Sequence, residues 1–92
     1  MRDEIRCVIS GKVQGVMYRD FAQRSARHCN VVGTIENLPN GTVEVIAQGM
    51  PEDLKRFIET LHEGSILSRV ADVSVEWRSA PVSFDDFTLL YR

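Results

Sequence analysis

Val31-Val32-Gly33-Thr34-Ile35-Glu36-Asn37-Leu38-Pro39-Asn40-Gly41-Thr42-Val43-Glu44-Val45-Ile46-Ala47-Gln48 reads as two strands joined by a tight turn. Residues 31–37 and 42–48 are rich in β-branched side chains, and Val43, Val45 and Ala47 alternate onto one face. Between the strands, Pro39 pre-sets the φ of a first turn position and Gly41 accepts the positive φ of a bulged hairpin. Each side of this hairpin carries a different period. Upstream, Phe21, Ala22, Ser25, Ala26 and Cys29 form one stripe of a helix from Tyr18 to Cys29, with Asn30 suited to a left-handed cap. Downstream, Leu54, Phe57, Ile58 and Leu61 form the stripe of a second helix, opened by Pro51 and stopped by Gly64.

Strand patterns flank both helices. Ile5, Cys7 and Ile9 alternate with Arg6, Val8 and Ser10. Ala71, Val73, Val75 and Trp77 alternate with Asp72, Ser74, Glu76 and Arg78, which puts Trp77 on the core side with Phe57, Phe84 and Phe87. Phe87, Leu89 and Tyr91 suggest a short fifth strand. The order β-α-β-β-α-β is that of a ferredoxin-like α+β sandwich. The expected sheet is antiparallel, in order 4-1-3-2, with both helices on one face and the fifth strand appended. At 92 residues there is room for one core, so residues 1–92 are expected to form a single domain.

Composition removes several function classes. A net charge of -2 gives nucleic-acid binding no global electrostatic support. No apolar run approaches a membrane span, and the charged start Met1-Arg2-Asp3-Glu4 is unlike a signal peptide, so a cytoplasmic location is expected. Cys7, Cys29, His28 and His62 lack metal-ligand spacing, and no metal or other cofactor is expected. Whether Cys7 and Cys29 are bridged is left open by the sequence.

The topology brings two chemical groups together. In a split βαβ, the first and second strands run parallel with the third between them, so their C-terminal ends lie on one edge, roughly 10 Å apart. The first leads through Gly11–Tyr18 to Arg19, and the second ends at Asn37. Gly11 and Gly15 permit a nest of inward-turned N–H groups backed by a helix N-terminus, and Arg19 adds a planar fork of donors suited to phosphate. No Gly-Lys-Ser/Thr follows, so this is not a P-loop. Met17, beside the cradle, is taken as a packing residue, and Tyr18 as an anchor for the loop.

Gly11-Lys12-Val13-Gln14-Gly15-Val16-Met17-Tyr18-Arg19 resembles the first signature of the acylphosphatase family, G-x-V-Q-G-V-x-[FY]-R. Gly33 to Glu44 resembles the second, around a catalytic asparagine. The resemblance runs from the first strand to Tyr91. Three positions depart from it: Thr34 stands where an aromatic residue is usual, Asn40 where Asp is frequent, and Asn30 where Gly is frequent. It implies a small enzyme, an acylphosphate phosphohydrolase, that cleaves the carboxyl–phosphate bond of small acyl phosphates. On that resemblance the backbone of Gln14, Gly15, Val16, Met17 and Tyr18 holds the phosphate with Arg19, and Asn37 positions the attacking water. The partner implied is a small-molecule acyl phosphate, with no nucleic acid or membrane, acting on a monomer.

Two other readings compete. An acylphosphatase-like accessory module of a larger carbamoyl-transferring protein would share the motifs without catalysis. A ferredoxin-like RNA-binding module would need aromatic residues on the open face of the first and third strands, and Ile5–Ser10 and Thr42–Gln48 offer none.

Overall fold

The computed structural model describes residues 3–80 and 82–91. Strand β1 (Asp3–Lys12) is followed by α1 (Tyr18–His28), β2 (Val32–Asn37), β3 (Val43–Gly49), α2 (Pro51–Glu63), β4 (Arg69–Arg78) and β5 (Phe87–Leu90). The sheet order is β4-β1-β3-β2-β5. The first four strands pair antiparallel, as the hairpin and helix pattern implies, but β5 pairs parallel with β2, placing Gly33 opposite Phe87 and Ile35 opposite Leu89. The sheet is therefore mixed rather than purely antiparallel. One consequence matters for the site. β1, β2 and β5 all run the same way, so all three deliver their C-terminal ends to one edge.

The alternation read from the sequence builds the core. Ile5, Cys7 and Ile9 face Ala47, Val45 and Val43 across the β1–β3 pair, and all six are fully buried. Ala22 and Ala26 of α1 and Leu54, Phe57 and Leu61 of α2 close over them. Phe57 meets the Phe87 ring edge-on at 5.6 Å, a favourable quadrupole geometry. Phe84 is half-buried rather than core. Trp77 is 44% exposed, against the expectation of core packing. It does lie opposite the buried Ile5, but β4 is the outer strand of the sheet, so facing the core side there does not guarantee cover.

Gly11 and Lys12 belong to β1 rather than to the loop. The β1–β4 register shifts between Ser10 and Gly11, a bulge that Gly11 accommodates at φ 117°. A Cβ there would lie 2.2 Å from the Arg69 carbonyl oxygen, so glycine is required by close backbone approach.

Cys7 and Cys29 are both free and buried. Burial pushes the Cys7 thiol from an ordinary 9.0 up to about 12. The folded chain thus keeps a proton that the unfolded chain releases, and stability present below pH 9 is lost as pH rises towards 12. Denaturant titrations are expected to show an alkaline loss to which Cys7 contributes up to about 1.4 kcal/mol per pH unit in that window; Tyr18 and Cys29 are raised in the same direction, so Cys7→Val is expected to remove only the Cys7 share.

A buried clasp fixes the run into β5. The Glu4 carboxylate, almost fully buried, accepts hydrogen bonds from Arg78 Nε and from Gln48 Nε2 at 2.9 Å. Gln48 also donates to the Val82 carbonyl and accepts from the Phe84 N–H at 3.1 Å. Gln48→Leu removes these partners, and should cost about 1–3 kcal/mol in urea unfolding because Glu4 and the 82–84 backbone lose bonds in a buried setting.

Candidate active site

The connection from β1 to α1 is held from three sides. Val13 and Val16 are buried beneath it. The Gln14 amide donates from Nε2 to the carbonyls of Leu38 and Thr42, both at 2.8 Å, which binds the loop to the β2–β3 turn. That turn is itself closed by Leu38 N–H to the Thr42 carbonyl at 2.9 Å and by Thr42 donating to Asn40 Oδ1. On the far side, the Ser65 hydroxyl donates to the Val16 carbonyl at 3.2 Å. Gln14→Ala deletes two bonds that cross from one loop to another. It is expected to cost about 1–2 kcal/mol in stability and to raise KM more than it lowers kcat, because the loop loses its register against β2. Chemical denaturation and steady-state kinetics on one preparation check both.

Two residues of the loop take left-handed backbone, Gly15 at φ 72° and Met17 at φ 60°. The second is unusual for a side chain of this kind. Met17 is 68% exposed, so it is a surface residue and not the packing residue expected. It occupies the cap position of α1 and supplies no side-chain oxygen to it, so no side-chain cap occupies the N–H donors of the first turn. Tyr18 anchors this end: its ring is buried and its hydroxyl donates to the Leu61 carbonyl of α2 at 2.7 Å. Burial, and secondarily the neighbouring Cys7, holds the phenol well above its ordinary range, so it stays a donor.

Arg19 follows in the first turn. Its guanidinium lies 4.8 Å from the centroid of the Tyr91 ring, and Nη1 donates to the Leu90 carbonyl at 3.4 Å. The aromatic face and the backbone oxygen hold the cation at the sheet edge. Asn37 ends β2 in register with Val43, which in turn pairs with Ile9 near the end of β1. Among the described residues, its Oδ1 is buried with no hydrogen-bond partner. An orphaned buried acceptor is costly unless something binds it.

These groups meet. A pocket of about 460 Å³ is lined by Gly15, Met17, Arg19, Asp20, Asn37 and Tyr91, among others. Arg19 and Asn37 therefore share one cavity, as their strand ends imply. Gly11 does not line it, since it is spent on the bulge. Gln14 contributes its side chain as a tether, a role that its expected backbone contact did not reveal. Asp20, Leu89 and Tyr91 line the pocket without having been singled out from the sequence. Asp20 is paired with Arg24 at 3.1 Å, which offsets a carboxylate at the mouth of an anion pocket. Among the described residues, no group of three His, Cys, Asp or Glu is placed to hold a metal, and no helix is long and apolar enough to cross a membrane.

Comparison with known proteins agrees with this geometry. The acylphosphatase family model matches residues 5–89. An acylphosphatase of Bacillus licheniformis is 38% identical, over 96% of this chain and 98% of its own. The crystal structure of acylphosphatase from Bacillus subtilis superposes with a TM-score of 0.94 at 33% identity, covering 99% of this chain and all of the other. A full-length HypF in its phosphate- and nucleotide-bound form also matches, with a TM-score of 0.89 at 25% identity, over 98% of this chain but 12% of that one. With both signature stretches now folded around one pocket, and a family match from the first strand into the fifth, the chain belongs to the acylphosphatase family.

Proposed function

We propose that this chain hydrolyses the carboxyl–phosphate bond of small acyl phosphates, releasing a carboxylate and inorganic phosphate. The observation that carries the reading is the shared pocket, which Arg19 and Asn37 both line. The backbone N–H groups of Gln14, Gly15, Val16, Met17 and Tyr18 cradle the phosphoryl oxygens, with the helix N-terminus behind them. Arg19 binds those oxygens through its planar fork and absorbs charge as it redistributes in the transition state. Asn37, neutral at ordinary pH, orients the attacking water through its carboxamide, which can both donate and accept, and holds it in line with the scissile O–P bond.

The water oxygen bonds to phosphorus as the O–P bond to the acyl group breaks. The electron pair leaves on the carboxylate, whose conjugate acid has a pKa near 4, so no general acid is needed. The proton of the water passes to a phosphoryl oxygen. Residues 1–92 act as one domain in this reading, as a monomer in the cytoplasm and without a metal or organic cofactor. Phosphate release from benzoyl phosphate tests it: turnover inhibited competitively by inorganic phosphate is expected. A like domain makes up 12% of the HypF chain, which raises a second reading, an accessory module of a larger protein; absence of release from every acyl phosphate tried would support it.

A further inference from the structure

The phosphoryl pocket adjoins a second cavity that the hydrolysis reading does not use. It measures about 360 Å³ and lies between the first turn of α1 and the connection from α2 to β4. Its walls are largely apolar: Val16, Met17 and Phe21 on one side, Ile66 and Leu67 on the other. Met17 lines both cavities, one on either side of it. Arg24 stands at the rim, paired with Asp20.

Val16 and Phe21 belong to the core or pack on it, but the fold leaves Met17, Ile66 and Leu67 outside it. Ile66 is fully exposed and Leu67 is 64% exposed, and with Met17 they make a cluster rather than scattered singletons. The wall is also fixed relative to the cradle. Ser65 donates to the Val16 carbonyl, and the turn behind Ile66 and Leu67 is closed by the Ser68 N–H and hydroxyl, both donating to the Ser65 carbonyl.

An acyl phosphate has two unlike ends. One is an anion; the other is an acyl group of variable size. With the anion at Arg19 and Asn37, an acyl group leaving past Met17 enters this groove. We propose that the groove receives an apolar acyl group of the substrate, and that Ile66 and Leu67 set a preference for aromatic or branched acyl groups over acetyl. The inference rests on the hydrolysis reading and deepens it. The occupant is a substrate group because Met17 lines both the groove and the anion pocket, and Ser65 ties the groove's far wall to the same loop.

The test compares kcat/KM for benzoyl phosphate and acetyl phosphate, in the parent chain and in Ile66→Ser/Leu67→Ser. The benzoyl-to-acetyl ratio is expected to fall about five- to tenfold, the scale of losing part of an apolar contact. Leu67→Trp, which fills the groove, is expected to lower the same ratio, and it provides an independent reading if the double variant folds poorly by circular dichroism. A ratio within about twofold of the parent's in both variants overturns the inference. So does an unchanged ratio with a dimer, seen by sedimentation, that the substitutions abolish; the patch would then belong to a second copy. A parent chain that hydrolyses neither substrate overturns the hydrolysis reading as well, and that failure is distinct from a parent that turns over both.

Discussion

Replacing Arg19 by lysine is expected to lower kcat/KM for benzoyl phosphate by about 10²–10³-fold, with the circular-dichroism spectrum unchanged. The charge is retained, so the loss reports geometry. The guanidinium is flat, lies over the Tyr91 ring and lines the pocket. An ammonium at the end of a flexible stem has no plane to stack and no fork to match two phosphoryl oxygens. Arg19→Ala should be worse, damaging both KM and kcat. Both variants are expected to fold, because Arg19 lies on the half-exposed side of α1 and Tyr18, not Arg19, anchors the helix start. A lysine variant with parental kinetics would remove the fork from the mechanism.

Asn37→Ala is expected to lower kcat by about 10²–10³-fold with a smaller change in KM. The asymmetry follows from the proposed role. Phosphoryl binding is carried by Arg19 and the loop amides, whereas Asn37 acts on the water. Asn37→Asp separates this role from size alone. It keeps the shape but adds a negative charge beside the bound anion, so it is expected to weaken inhibition by inorganic phosphate where Ala does not. The alanine change also removes a buried oxygen that has no protein partner, so little stability is at stake. Equal loss of kcat and gain of KM in Asn37→Ala would assign the residue to binding instead.

Much of this arrangement is readable from the chain because separate signals agree. The Pro39–Gly41 turn, the two helical stripes and the alternation at Ile5–Ile9 each specify one element, and together they force the strand ends that carry Arg19 and Asn37 onto one edge. What was not legible has physical reasons. β5 is four residues long, and nothing in so short an alternation tells which strand it joins or in which direction. Its parallel pairing with β2 is what brings Leu90 and Tyr91 to Arg19, so that part of the site was hidden too. Gly11 reads as part of the loop because a glycine in a strand and a glycine in a turn look alike in sequence; the bulge against β4 exists only in the paired sheet. Trp77 shows that alternation gives the side a residue faces and not whether anything covers it. The exposure of Met17 is not legible because a left-handed backbone has no sequence mark outside glycine and asparagine.

Gln14 is a related case. Its place in the signature suggested a backbone contact with phosphate, but its side chain spans to Leu38 and Thr42 and so sets the distance between the cradle and Asn37. The glutamine can be understood as a spacer between two stretches of chain that the sheet alone leaves unconnected.

The central claim is that the loop before α1, Arg19 and Asn37 bind one oxyanion together. Titration of the ¹⁵N-labelled protein with inorganic phosphate, followed by amide and side-chain resonances, addresses it directly. The account predicts that the backbone amides of residues 15–19 and the Asn37 carboxamide shift together, with one dissociation constant that also matches phosphate inhibition of hydrolysis. Shifts confined to the basic outer face of α1, at Arg24 and Arg27, with the loop and Asn37 silent, would contradict it.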